Sequence, residues 1–332
     1  MLVMVAAGPA CAPGGPTGSQ PTLPSTESAP TSVVDTTSTT VRVGEGLPNI
    51  YSGPPVADRP TRWVGLIQAP NDHDLVVIDD DGAPSVVLDE GQATGAETPP
   101  QRFETIALSD SDGTLWLGRC CEPASGSLWT LDANGTLAFA ADGLQTDEGG
   151  WIRAIVSATG DLSMAPVGDP DRALFLFDVG ARSVAVDPNG IVVTLLGDDS
   201  VLPGSSVTGL APSVRLSWIS ATGFVHRDHL LPAGYRACSV TWSYDGTVVL
   251  LDRSDSETGN ACTGTGLSRL DPVTGEFVPM DVGIPDPATT VRVDASGTYL
   301  LYVTVSGEVR WRSLDDGDAG LLDAGDYVAA DW

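Results

Sequence analysis

The sequence predicts an all-β chain folded as a six-bladed β-propeller and closed by its C-terminal strand, and three observations predict it. First, an apolar strand, a Ser/Asp–Gly–Thr turn and a second apolar strand recur as IALSDSDGTLW (106–116), VTWSYDGTVVL (240–250) and VRVDASGTYLL (291–301). Second, another hairpin phrase recurs along the chain: LVVIDDDGAPSVVL, LWTLDANGTLAF, LFLFDVGARSVAV, LSWISATGFVH, LSRLDPVTGEFV and VRWRSLDDGDAGLL. Asp, Asn and Gly suit these turns because tight hairpins need positive φ and local Asx hydrogen bonds. Third, the apolar residues before these turns (Ile78, Leu131, Phe177, Ile219, Leu270 and Leu314) recur about every 47 residues, the period of a four-stranded blade. Seven blades, one of them degenerate, is the alternative count.

The order of elements begins with a stretch that is not propeller. MLVMVAAGPACAPGG is a short apolar run followed by small residues and Cys11. It resembles the end of a bacterial lipoprotein signal of the actinobacterial type, which implies lipidation of Cys11 and an extracytoplasmic, cell-surface location. GPAC carries Pro9 where such signals have a small residue, and a plainly secreted chain is the alternative. Residues 1–11 are thus read as the signal remnant. Residues 12–47, rich in Ser, Thr and Pro, bury too little apolar area to offset their ordering entropy and read as a disordered tether. Residues 48–332 are read as one propeller domain.

In the first blade RWVGLIQ, LVVID and SVVLD read as strands b, c and d, and the missing strand a is supplied by DYVAADW at the other end of the chain. That pairing removes an edge that would otherwise invite aggregation. The second blade runs FETIALS, TLWLGR, SLWTLD, TLAFA; the fifth runs SVTWS, TVVLLD, LSRLD, EFVPM; the sixth runs VRVDA, TYLLYV, EVRWRSL, GLLD. SVAVDPNGIVVTLL, between the third and fourth blades, reads either as strand d followed by the next strand a or as an a–b hairpin with a DPNG turn. The first reading is preferred.

Trp242-Ser243-Tyr244-Asp245-Gly246-Thr247, followed by VVLL and a later strand ending in Leu270-Asp271, resembles the WSPDG-type repeat of TolB-like and WD-repeat-like propellers, with Tyr244 in place of proline. The second and sixth blades match only as SDSDGT and DASGT. The resemblance is one of repeat class over roughly residues 60–332. It implies a six-bladed disc with a central channel and names no partner, because propellers host hydrolases, dehydrogenases and scaffolds alike.

Charge and cysteines bound the function. The net charge is −28 and all 16 basic residues are arginine, which excludes nucleic acid and anionic membrane surfaces as partners by repulsion. No apolar run reaches the length of a membrane span, so a lipid anchor is expected and not a transmembrane segment. With Cys11 lipidated, Cys120, Cys121, Cys238 and Cys262 form an even set that suits an oxidising compartment. Cys238 precedes strand a of the fifth blade and Cys262 follows the long loop after strand b, so the two fall at one end of a hairpin and are expected to bond. Cys120 and Cys121 either close a vicinal ring or stay free.

Candidate chemistry is sparse. His226 and His229 face opposite sides of a strand and cannot share an ion without a bend. No G-x-S-x-G elbow is present, and no residues are left for a second catalytic domain. The Asp clusters at 79–81, 110–112 and 315–318 lie where hairpin turns belong, and Asn134-Gly135-Thr136 is a turn before it is a glycosylation sequon. No catalytic residue, metal or cofactor is assigned. The b–c and d–a connections are the long ones: 89–102, 118–127, 140–150, 199–213, 231–237, 253–266 and 281–290. Long loops on a rigid scaffold carry binding, and Arg102, Arg119, Trp151, Arg153, Tyr235 and Arg236 lie on or beside them.

The expectation is a monomeric, non-catalytic propeller that binds a protein, peptide or glycan at the cell envelope through its long-loop face. The alternatives are a channel-mouth enzyme (glycan lyase, glycosidase or quinone-dependent dehydrogenase) and a structural envelope protein. A glycosidase needs two separated carboxylates, and Asp147 and Glu148, adjacent in sequence, make a poor pair.

Overall fold

The structure is a computed structural model that describes residues 46–69, 73–78, 82–89, 102–109, 112–120, 126–169, 172–176, 180–197, 212–221, 223–253 and 262–332. Cys11, Cys121 and most of the long loops lie outside the described residues. The described residues form six four-stranded antiparallel sheets, one per blade.

Blade 1 contains β1 (Trp63–Gln68), β2 (His73–Ile78) and β3 (Pro84–Leu88), and its inner strand is β24 (Tyr327–Asp331). Val64 pairs with Asp331 and Leu66 with Ala329, so the chain closes on itself as the sequence predicted. Blade 2 is β4 (Arg102–Leu108), β5 (Leu115–Cys120), β6 (Ser127–Leu131) and β7 (Leu137–Asp142). Blade 3 is β8 (Gln145–Gly149), β9 (Ile152–Val156), β10 (Leu162–Pro166) and β11 (Leu174–Leu176). Blade 4 is β12 (Ala181–Val186), β13 (Val192–Leu196), β14 (Ser213–Ser220) and β15 (Gly223–Leu230). Blade 5 is β16 (Ala237–Trp242), β17 (Val248–Asp252), β18 (Gly266–Leu270) and β19 (Phe277–Pro279). Blade 6 is β20 (Ala288–Val293), β21 (Tyr299–Thr304), β22 (Val309–Ser313) and β23 (Ala319–Asp323). Inner strands of consecutive blades touch all the way round, from β24 through β4, β8, β12, β16 and β20 back to β24.

Two sequence expectations are corrected. SVAVDPNGIVVTLL is the a–b hairpin of blade 4, with Val186 paired to Val192. Its turn is closed by Gly190 N donating to Asp187 O at 2.8 Å, with Gly190 at φ 82°. LFLFDVGARSVAV is therefore not a hairpin: its first strand, β11, is the outer strand of blade 3 and pairs with β10. The second correction follows from the first. Residues 145–149 within the expected 140–150 loop are the inner strand β8, paired with β9. QTDEG has no apolar alternation to announce a strand: of its five residues only Thr146 is buried.

Burial explains the strand sequences. β13 and β21 are buried throughout and read as the apolar runs VVTLL and YLLYVT, as expected for strands covered on both faces. Outer strands such as β3 are exposed. Apolar clusters fill the blade interfaces, and the one between blades 2 and 3 is small: Ala107, Trp116 and Leu128, with Ile155 against them. Polar contacts supplement it. Thr105 Oγ1 donates to Leu144 O, and Gly118 permits that approach, because a Cβ there would collide with both groups.

In each repeated turn phrase the glycine N–H closes back on the first residue of the turn, over four residues in blade 2 and over three in blades 5 and 6. Gly113 N donates to Ser109 O, Gly246 N to Ser243 O and Gly297 N to Asp294 O, at 2.8–3.0 Å. The register also slips near the start of five inner strands, leaving Glu104, Arg182, Cys238, Thr289 and Val328 as bulged residues. A bulge raises local twist, which suits the sharply twisted inner strand of a blade. Cys238, one of these residues, is bonded to Cys262 as expected. Closing a loop with a sequence separation of 24 stabilises the fold by about 3 kcal/mol on the chain-entropy account. Cys120 is also disulfide-bonded.

A segment ahead of β1 crosses the face that carries the a–b turns. Leu47 and Ile50 are buried in the cluster between blades 4 and 5. Tyr51 N donates to Asp187 Oδ2 at 3.1 Å, Gly53 N to Tyr244 O at 2.7 Å and Val56 N to Thr298 Oγ1 at 3.1 Å. The strap thus bonds in turn to the a–b turns of blades 4, 5 and 6, and Arg59 stacks over Trp311 of blade 6 before the chain enters β1.

Candidate functional site

The inner strands end at a cavity of about 410 Å³ on the a–b-turn face of the channel. Five carboxylates line it (Asp147, Glu148, Asp187, Asp294 and Asp331), against one cation, Arg292. Tyr51 of the strap, Trp242 of β16 and Trp332 beyond β24 supply aromatic walls. Gly149 and Gly150 form the blade 3 rim. A Cβ at Gly149 would strike Asp187 O, and one at Gly150 would strike Pro188 O, so only glycines let these two turns pack backbone to backbone.

The carboxylates are held by the ring itself. Asp147 Oδ2 accepts from Val186 N at 2.6 Å and Asp331 Oδ2 accepts from Leu108 N at 2.7 Å, each latching its blade to the next inner strand. Ser183 makes the corresponding link from blade 4 to blade 5, accepting from Val240 N at 3.1 Å. Asp187 accepts from Ile191 N, Tyr51 N and Asn189 N. Asp294 accepts from Tyr299 N at 2.7 Å and Thr298 N at 3.0 Å. Glu148 is bound by Arg153 at 2.5 Å and by Ser109 Oγ at 3.3 Å.

Burial pushes the Asp147 carboxyl up to about 7, against the opposing pull of Arg292 and the Val186 N–H. Burial likewise pushes Asp187 up to about 6, opposed by its backbone donors. Ionising Asp147 or Asp187 therefore costs the fold free energy. Asp147 and Glu148 do not form a two-carboxylate catalytic pair, since each is tied to a different partner and neighbours on a strand diverge. Among the described residues no group of three or more His, Cys, Asp or Glu side chains is placed to hold a metal ion.

The six residues singled out in the sequence are split between the two ends of the ring. Arg102 and Arg236 sit at matching places, each just before the bulge of its inner strand. Arg119 is buried and lies over Phe103 at 5.9 Å. Tyr235 donates its hydroxyl to Asp252, and burial and that carboxylate hold the phenol above its usual range. These four belong to the long-loop end. Trp151 occupies the a–b turn of blade 3 and Arg153 lies on β9, where its guanidinium is 4.2 Å from the Trp116 ring centroid. None of the six lines the cavity. Sequence reasoning missed Asp187, Arg292, Asp294, Asp331, Tyr51 and Trp332 as site residues. The available signal was their shared place at or near the ends of inner strands, together with Tyr51 just ahead of the ring.

No family model matches the sequence, and no curated protein matches it. Among solved structures the chain is similar to the β-propeller domain of Cps50 (Swd1) from Myceliophteria thermophila, with 14% identity, 67% of this chain and 73% of that one covered, and a TM-score of 0.44. It is similar to a protein of unknown function from Bacteroides caccae, with 10% identity, 82% and 98% coverage, and a TM-score of 0.47. It is also similar to a chain of the Mitotic Checkpoint Complex, with 13% identity, 80% and 97% coverage, and a TM-score of 0.45. The chain's own six four-stranded sheets make it a six-bladed β-propeller.

Proposed function

We propose that the protein is an extracytoplasmic, lipid-anchored and non-catalytic propeller that takes a protein or peptide partner at the acidic channel mouth. The observation that carries this reading is the commitment of every cavity carboxylate to a backbone N–H or an arginine. Groups so engaged present a fixed acidic surface and are poorly placed to shuttle protons. The cavity lies on the a–b-turn face, so the binding side favoured here is opposite to the long-loop side that loop length alone suggests.

The disulfide between Cys238 and Cys262 supports an oxidising compartment, and the GPAC sequence before the tether supports an anchor at Cys11. Among the described residues no helix is long and apolar enough to cross a membrane. Mass spectrometry of the mature chain is expected to find Cys11 N-terminal and acylated; an unmodified thiol there contradicts the anchor.

The binding reading is tested with photo-crosslinking residues placed in the full chain at Ser296, which lines the cavity, and at Val278, which is exposed on an outer strand. In cells a discrete adduct is expected from position 296 and none from 278. Adducts from the outer strand alone, or from neither position, contradict the reading.

A further inference from the structure

We infer that the channel mouth is an arginine receptor: it takes the guanidinium of a basic residue in a polypeptide. This deepens the binding reading above and rests on it. Three features of the cavity select the ligand.

The first is charge and its distribution. Five carboxylates face one guanidinium, and they come from four different blades: Asp147 and Glu148 from blade 3, Asp187 from blade 4, Asp294 from blade 6 and Asp331 from blade 1. A compact metal ion needs ligands drawn together, and that grouping is absent among the described residues. A guanidinium, planar and with five N–H donors, can address acceptors that are spread apart.

The second is an aromatic lining: Tyr51, Trp242 and Trp332 stand beside the carboxylates around the cavity, so a cation that also presents flat apolar faces is favoured over a small hydrated one.

The third is shape. A volume of about 410 Å³ falls in the range of roughly 300–1,000 Å³ typical of small-ligand sites, and it suits one side chain with its flanking peptide groups. The indole walls of Trp242 and Trp332 match the apolar faces of a guanidinium, which stacks on aromatic rings better than an ammonium does.

The test uses the full chain and calorimetry at low and physiological salt. The probes are acetyl-Gly-Arg-Ser-Gly-amide, the same peptide with citrulline for arginine, and spermidine. The arginine peptide is expected to bind at least tenfold more tightly than either competitor. Asp147→Asn keeps an acceptor for Val186 N and removes the charge; it is expected to cut affinity at least tenfold in a chain that melts no lower than the wild type. Equal binding of the citrulline peptide, equal binding of spermidine, or unchanged affinity in Asp147→Asn overturns the inference. A partner cross-linked at position 296 that shows no arginine dependence leaves the binding reading in place and overturns only this assignment of its ligand.

Discussion

A chain that stops at Gly325, short of β24, is expected to lose its cooperative fold. Blade 1 would then have no inner strand, and β1 would present a bare edge to the channel. Tyr327 packs edge-on against Trp63 with ring centroids 5.3 Å apart, and Tyr327, Ala330 and Trp332 belong to the core between blades 6 and 1. Gly65 is glycine because a Cβ there would meet the Tyr327 ring at 2.8 Å. Ala329 belongs to the core between blades 1 and 2, and Asp331 latches Leu108 of blade 2. Each large side chain withdrawn from burial costs roughly 1.5–3 kcal/mol, and opened backbone and latch hydrogen bonds add to that. The total approaches the 5–15 kcal/mol that stabilises a typical domain. Circular dichroism should show the truncated chain unfolded, or melting at least about 20 °C below the full chain. Melting within a few degrees of the full chain contradicts ring closure as the organising contact.

The second large effect has the opposite sign. Asp147→Asn is expected to stabilise the protein above neutral pH. In the unfolded chain this carboxyl titrates near 3.8, and in the fold burial pushes it up to about 7. The fold therefore binds the protonated form better. The stabilisation this carboxyl gives is complete below about pH 4 and is lost as pH rises through about 7. Holding it ionised at pH 8 costs roughly 4 kcal/mol from the size of the shift. Asp147 is only partly buried, so solvent screening reduces that to about 2 kcal/mol. Asparagine keeps the oxygen that accepts from Val186 N and carries no charge. Thermal melts of both chains at pH 5 and pH 8 should show the variant gaining several degrees at pH 8 and little at pH 5. A variant that is less stable at pH 8 would show that the ionised latch is a net support. A carboxylate kept at a cost to the fold, and at a cavity, is the pattern of a working site.

The residues explain what could be read ahead of the structure. Blades 2, 5 and 6 were legible because their a–b turns carry Ser/Asp–Gly–Thr just before a strand that is buried on both faces, which leaves both turn chemistry and an apolar run in the sequence. The closing strand was legible because blade 1 is one strand short at one terminus and DYVAADW stands at the other. Blade 3 was obscured because its inner strand is QTDEG, its a–b turn is Gly150-Trp151, and its interface with blade 2 rests partly on Thr105, Glu148 and Arg153. Without an apolar signal there, SVAV was assigned one blade too early, and Trp151 and Arg153 were placed at the wrong end of the ring. The cavity itself was hidden for a different reason. Asp147, Asp187, Asp294 and Asp331 look like turn or strand-end aspartates one at a time, and only closure of the ring brings them round one mouth.

Hydrogen–deuterium exchange of the full chain, with and without saturating acetyl-Gly-Arg-Ser-Gly-amide, tests the working face most directly. Slower exchange is expected in segments 147–151, 186–190, 240–244 and 291–297, which carry the rim, with no change in the outer strands 84–88 and 277–279. Protection confined to the outer strands or to the long-loop end, with the four rim segments unchanged, would contradict the assignment of the acidic mouth as the binding site.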